Sequence, residues 1–178
     1  MDLNTPFLFR YRIFYLFVIV VLLTGYKHIP AKIEDDKKQI AVMLDSFNLT
    51  AARADYAGYF SYFTDDAIFI GTDATERWNK EQFESWAIKY FDRGKAWNFK
   101  SISRHIYISE NKNIAWFDEL LNTQMKICRG SGVVIKKGGK WKIQQYVLSI
   151  TMPNDQIDGA VKLKAPMEDS IIKSLIKK

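Results

Sequence analysis

One cysteine, two histidines and four prolines are all that 178 residues contain of these types, and each scarcity removes a class of explanation. Cys128 alone cannot close a disulfide within the chain or build a CxxC redox or zinc motif. His28 and His105 offer no pair of ligands at metal-binding spacing, so neither a metal nor a cofactor is expected. A strong excess of one charge is also missing. The formal net charge is +6, but with Arg10, Arg12, Lys27 and Asp2 of the first thirty residues set aside, 23 basic and 19 acidic residues remain. They are interspersed and form no long block, which excludes the electrostatic footprint of a nucleic-acid binder. No repeat or low-complexity segment is present. With 48% hydrophobic residues the chain fits one domain and a short appendage.

The single long apolar run lies at the start. Arg10 and Arg12 precede an unbroken stretch from Ile13 to Leu23, and Gly25, Lys27 and Pro30 end it. A basic segment followed by a short apolar one is how an export signal is built, and this run is shorter than the roughly 20 residues that span a bilayer. Phe7 to Phe9 and Tyr26 lengthen the apolar segment, so an uncleaved anchor stays open beside a cleaved signal. "LTGY" at 23 to 26 resembles the end of a bacterial lipobox, but Tyr26 stands where the acylated cysteine would be, which excludes lipidation there. The expectation is an exported, extracytoplasmic protein, periplasmic or secreted, or one anchored in the membrane by residues 7–26. That segment is its only membrane contact. Residues 1–30 are then signal or anchor, 31–154 the domain and 155–178 a tail.

Within the domain, Ile40, Leu44 and Phe47 recur at helical spacing, and Tyr56, Tyr59, Phe60 and Phe63 continue the pattern, giving two helices or one bent helix. "DAIFIG" switches to a β-branched and aromatic run ended by Gly71, a strand. Asn79 with Gln82 three positions on makes a capping box. Phe83, Trp86, Ala87, Tyr90 and Phe91 follow as the inner face of another helix, which Gly94 ends. Four strands come next, over "WNFKSISRHIYIS", "NIAWFDELLNTQ", "RGSGVVIKK" and "KWKIQQYVLSITM". "ENKN" at 110–113 and Gly138-Gly139 supply hairpin turns. The tail carries a short helix around Ile171, Ile172, Leu175 and Ile176. Helices first and antiparallel strands after them make an α+β domain with helices on one face of the sheet. A sheet bent around such helices leaves a cone-shaped cavity.

This order of elements, together with "DDAIFIGTDATERW", "AWFDELL", "RGSGVVIKKGGKWKI" and "QYVLS", resembles a SnoaL-like domain of the nuclear transport factor 2-like superfamily, to which ketosteroid isomerase and polyketide cyclases belong. The resemblance covers about Lys32 to Asn154. It implies a strongly curved antiparallel sheet wrapped around three N-terminal helices, a pocket between them, and dimerisation through the sheet. It hands over no mechanism, because such domains include isomerases, cyclases, dehydratases and binders. Many relatives carry a histidine ahead of the last strand's serine, where this chain has Val147.

Pleat alternation sorts the candidate residues by face. Trp116, Asp118 and Leu120 point one way and Phe117, Glu119 and Leu121 the other, so at most one of the two acids serves a pocket. Asp118 is the candidate catalytic acid, since desolvation among aromatics raises a carboxylate into the range useful for proton transfer. The competing structural role is an ion pair with Arg104 or Arg129. Those arginines are candidate clamps for an anionic ligand. Trp141, Ile143, Gln145 and Val147 share a face, which makes Gln145 a polar group in apolar company that can orient a ligand. Tyr59, Phe63, Trp78, Trp86, Trp97 and Trp116 are the candidate apolar lining. "FIGTDATERW" is expected at the rim of the cone. The function expected is binding of a small apolar molecule or a peptide by a homodimeric domain. General acid–base isomerisation, cyclisation or dehydration, and a protein-interaction module with a filled core, are the alternatives.

Overall fold

The computed structural model describes residues 31–177. The chain divides into Met1–Asp36 and Lys37–Lys178; the export and anchor readings of residues 1–30 lie outside the described residues. Among the described residues no helix is long and apolar enough to cross a membrane.

Helix α1 spans Ala31–Ala52 and α2 spans Tyr56–Ser61. Ile40, Leu44, Phe47 and Ala51 lie on one stripe of α1 and are all buried. The chain breaks at Ala54, which takes a φ of 55°. Asp55 then starts α2 by accepting the Gly58 N–H at 2.9 Å. Phe63, at helical spacing from Tyr59, has already left the helix and opens strand β1 (Phe63–Ile70). Strand β2 (Arg77–Asn79) runs directly into α3 (Lys80–Phe91). The capping box is formed: Asn79 Oδ1 accepts the Gln82 N–H at 2.9 Å and Gln82 Oε1 accepts the Asn79 N–H at 3.0 Å. Helix α3 buries Phe83, Ala87 and Phe91.

Strands β3 (Lys100–Ile108), β4 (Ile114–Thr123), β5 (Lys126–Lys137) and β6 (Lys140–Ile150) complete a six-stranded open sheet in the order β2-β1-β6-β5-β4-β3. The last hairpin turns on Gly138 and Gly139 with φ of 56° and 78°, the two consecutive positive values that a type I′ turn demands. Every junction is antiparallel except β1 with β6, which is parallel. A parallel neighbour needs a long crossover, and here the whole of β2 through β5 intervenes. Register shifts between Ser101 and Ser103 and between Val133 and Val134 bend the sheet. Its inner face buries Phe117, Leu121, Val134, Ile143, Tyr146 and Leu148. Phe47 of α1 meets this core with ring centroids 4.4 Å from Tyr59 and 5.5 Å from Tyr146. Each such aromatic contributes about 1.5–3 kcal/mol through burial alone.

After a 3-10 turn at Asn154–Gln156, helix α4 spans Ile157–Ile176, much longer than the expected short helix. None of its residues is buried, and Leu163 and Ile176 are among the most exposed apolar side chains described.

Candidate functional site

The end of β1, β2, α3 and the segment between α3 and β3 bring five aromatic rings into one place. Phe83 lies 3.9 Å from Phe69 at an interplanar angle of 14° and 5.7 Å from Trp78 at 5°. Behind Phe69 the stack continues into Tyr146, 5.8 Å away at 3°. Trp86 sits 4.8 Å from Trp78, and Trp97 sits 6.1 Å from Phe83. A pocket of about 170 Å³ opens among them, with Phe99, Met125 and Leu148 completing the apolar wall. Its polar side chains are Thr72, Glu76 and Gln124. A few polar groups in an apolar wall is how small-molecule sites are built.

The rim is held by its own hydrogen bonds. The Gly71 N–H donates to the Glu76 carbonyl at 2.8 Å, and the Glu76 N–H donates to the Asp73 carbonyl at 3.0 Å. In return Glu76 Oε2 accepts the Asp73 N–H at 3.2 Å, while Asp73 Oδ1 accepts from Thr75. Glu76, which the sequence alone would leave in solvent, is therefore half-buried and turned to the pocket. The available signal was the Asp73-x-x-Glu76 spacing of a capping box, of which only the Glu76 half forms, the Asp73 carboxylate turning to Thr75 instead.

Trp78, Trp86 and Trp97 line this pocket; Tyr59 and Phe63 do not. Both are core residues, 1% and 4% exposed. Tyr59 stands behind Trp97, whose indole hydrogen-bonds its hydroxyl, and burial holds the phenol well above its ordinary pKa.

Asp118 is corrected as the pocket acid. It lies on the outer face of β4, half-exposed, with Oδ1 3.2 Å from His105 Nδ1 on β3, the residue directly opposite it in register. The inward acid is Glu119, 1% exposed. It meets the predicted structural fate of an ion pair: Arg104 Nε and Nη2 lie 2.9 and 2.7 Å from Glu119 Oε2. Arg104 also donates to the Ala41 carbonyl at 3.0 Å and to Asp45 Oδ1 at 2.8 Å on α1. The Tyr146 hydroxyl donates to Glu119 Oε1 at 3.2 Å. Burial, then Glu119, push the Tyr146 phenol well above its ordinary value. Burial lowers the Arg104 guanidinium, but Glu119 and Asp45 outweigh it and leave the group more firmly protonated. Arg104 is thus committed to tying α1 to the sheet.

Arg129, Trp116 and Gln145 are likewise corrected as pocket residues. Arg129 is exposed on the outer face of β5. Trp116 is on the outer face of β4, stacked on Tyr107 at 5.8 Å and 15°. Gln145 leaves the inner face because β6 carries an extra residue: Val133 pairs with Gln145 and Val134 with Ile143, so Gln144 is bulged. Past the bulge the pleat changes phase, and Tyr146 and Leu148 point inward in place of Gln145 and Val147. Gly132 faces the bulge, where an added Cβ would lie 2.2 Å from the Gln145 carbonyl oxygen. Among the described residues no group of three His, Cys, Asp or Glu side chains is placed to hold a metal ion.

A curved sheet holding an aromatic pocket against three helices defines a domain of the cystatin-like, nuclear transport factor 2-like fold. Solved structures share it. A cystatin-like domain of unknown function from Nostoc punctiforme matches with a TM-score of 0.59 at 13% identity over 81% of this chain and 98% of that one. A candidate dehydratase of the nuclear transport factor 2-like family from Streptomyces avermitilis matches with 0.59 at 11% over 67% and 99%. A nuclear transport factor 2-like protein of unknown function from Pseudomonas putida matches with 0.57 at 11% over 67% and 89%. At such identities the likeness establishes the fold alone. Within that fold the chain belongs to the SnoaL-like domain family, which residues 40–153 match. No curated protein matches.

Proposed function

We propose that the domain binds a small, largely apolar molecule between Trp78, Trp86 and Trp97 and does not turn it over. The observation that supports this is the lining itself: half-buried aromatic rings around a pocket of about 170 Å³, with Glu76 its single ionisable side chain. General acid–base chemistry needs a proton donor and acceptor facing one substrate. Here Asp118 faces outward and Glu119 is held by Arg104 and Tyr146. The volume is below the roughly 300 Å³ at which drug-sized sites begin, so the ligand is fragment-sized. Titrating the full chain with a fragment library while following tryptophan fluorescence and thermal unfolding tests this. Saturating a true ligand to about 100 times its Kd adds about 2.7 kcal/mol of stability, and Trp86→Ala abolishes the shift. A library that moves neither signal overturns the proposal.

Export or membrane tethering through residues 7–26 is part of the same proposal, supported by Arg10 and Arg12 ahead of the apolar run. So is a homodimer. Ile102, Tyr107, Trp116 and Ile127 stand exposed on the outer face of the sheet, a cluster of large apolar side chains of the kind that marks a protein contact.

A further inference from the structure

We infer that the pocket selects an organic cation, a quaternary or protonated amine on a small apolar body. This rests on the binding reading above and adds a charge to it. The carrying observation is the Glu76 carboxylate. It is half-buried, it lines the pocket, and among the described residues it forms no ion pair. Its one side-chain hydrogen bond is from the Asp73 N–H. The neighbouring cations are spent or directed elsewhere: Lys80 lies 3.6 Å from Asp65 and 4.0 Å from Glu84, and Arg77 is exposed. The lining contains no lysine, arginine or histidine. Lys95 belongs to the adjoining recess, which shares only Trp97 and Gln124 with this one.

A carboxylate drawn partly out of water beside aromatic rings lacks the counter-charge that such burial ordinarily brings. An anionic ligand would meet repulsion from Glu76 with no basic group to offset it. A neutral ligand would leave the carboxylate desolvated and uncompensated. A cation satisfies both walls at once, pairing with Glu76 and facing the negative ring faces of the tryptophans. Trp86 already shows this behaviour toward the protein's own lysine, with Lys89 Nζ 5.8 Å from its ring centroid.

Glycine at position 71 keeps the carboxylate in place. An added Cβ there would fall 2.1 Å from Glu76 Oε2, so any larger residue displaces the acid.

The test compares choline with its neutral isostere 3,3-dimethylbutan-1-ol on the full chain, by tryptophan fluorescence and by saturation-transfer NMR. The two differ only in the quaternary nitrogen. Choline is expected to bind at least tenfold tighter than the alcohol, with that advantage reduced by rising salt. Glu76→Gln keeps an acceptor for the Asp73 N–H and is expected to bring the two probes within threefold of each other. Gly71→Ala, which moves the carboxylate without removing it, is expected to narrow the ratio likewise. Because residues 7–26 can themselves hold the chain on a bilayer, the source of the cation is read from the pocket alone: phosphatidylcholine vesicles that displace choline from the unaltered chain point to a lipid headgroup, vesicles that leave choline bound point to a free amine, and either supports the inference. Equal binding of choline and the alcohol to the unaltered chain overturns the cation and leaves the pocket. Binding of neither overturns the pocket with it.

Discussion

Replacing Arg104 by leucine removes the one cation that pairs with Glu119 among the described residues. That carboxylate is 1% exposed and accepts two guanidinium contacts at 2.9 and 2.7 Å. The Tyr146 hydroxyl at 3.2 Å is what would remain. An uncompensated buried charge costs about 3–5 kcal/mol, a large fraction of the roughly 5–15 kcal/mol that holds a domain together. With a urea m-value of about 1–3 kcal/mol/M, the midpoint falls by roughly 1–5 M, about 2 M at the middle of both ranges. Glu119→Leu strands Arg104 less severely, because the guanidinium is 10% exposed and keeps Asp45 and the Ala41 carbonyl. The Tyr146 hydroxyl loses its acceptor instead, and the cost is about 1–3 kcal/mol. The double variant carries neither charge and avoids the stranded carboxylate. It is expected within about 2 kcal/mol of the unaltered chain, well above Arg104→Leu alone, giving a coupling of about 4 kcal/mol between the two sites. Equilibrium urea unfolding of the four proteins, followed by tryptophan fluorescence, supplies the cycle. Additive single effects, or a cost for Arg104→Leu under about 1 kcal/mol, would show a pair as weak as one at the surface and refute the reasoning.

Two further outcomes are expected. Tyr59 and Tyr146 are buried with phenols held well above their ordinary pKa of about 10, so the unfolded chain gives up these protons at lower pH than the folded one. Stability is therefore full below pH about 10 and falls as pH rises beyond it, an alkaline loss that Tyr146→Phe reduces in unfolding curves between pH 8 and 11.5. On the outer face, Trp116→Glu places a charge beside Tyr107 and is expected to convert a dimer to a monomer in light scattering without altering ligand binding; a monomer in the unaltered chain would end the dimer proposal.

Features that depend on a few neighbouring residues were legible in the sequence. The Asn79–Gln82 box, the Gly138–Gly139 turn and the buried stripe of Ile40, Leu44 and Phe47 each rest on local chemistry. Pleat alternation correctly separated Asp118 from Glu119 but carried no sign saying which face was inner. That sign comes from Arg104 and from α1, elements distant in sequence. Trp116 misled because a tryptophan on an apolar strand reads the same whether it fills a core or covers an outer face. Strand β2 escaped notice because three residues, Arg77 to Asn79, give no period to count. Glu76 escaped because its neighbours Asp73, Thr75 and Arg77 are all hydrophilic, and only the closed loop turns it inward.

The bulged Gln144 has a consequence for how this chain can change length. Between the turn at Gly139 and Tyr146, what decides whether a side chain meets solvent or core is parity, the odd or even count of residues along β6. One residue in excess switches that parity, and the switch is what delivers the Tyr146 hydroxyl to Glu119. Removing Gln144 itself would restore a regular pleat and leave Ile143 and Tyr146 both inward. A one-residue change between Ile143 and Tyr146 that keeps the bulge would instead set these two side chains on opposite faces and strip a partner from the buried carboxylate. Length in this stretch is accordingly tied to the bulge: one residue can be lost together with it, and otherwise variation is expected in even steps.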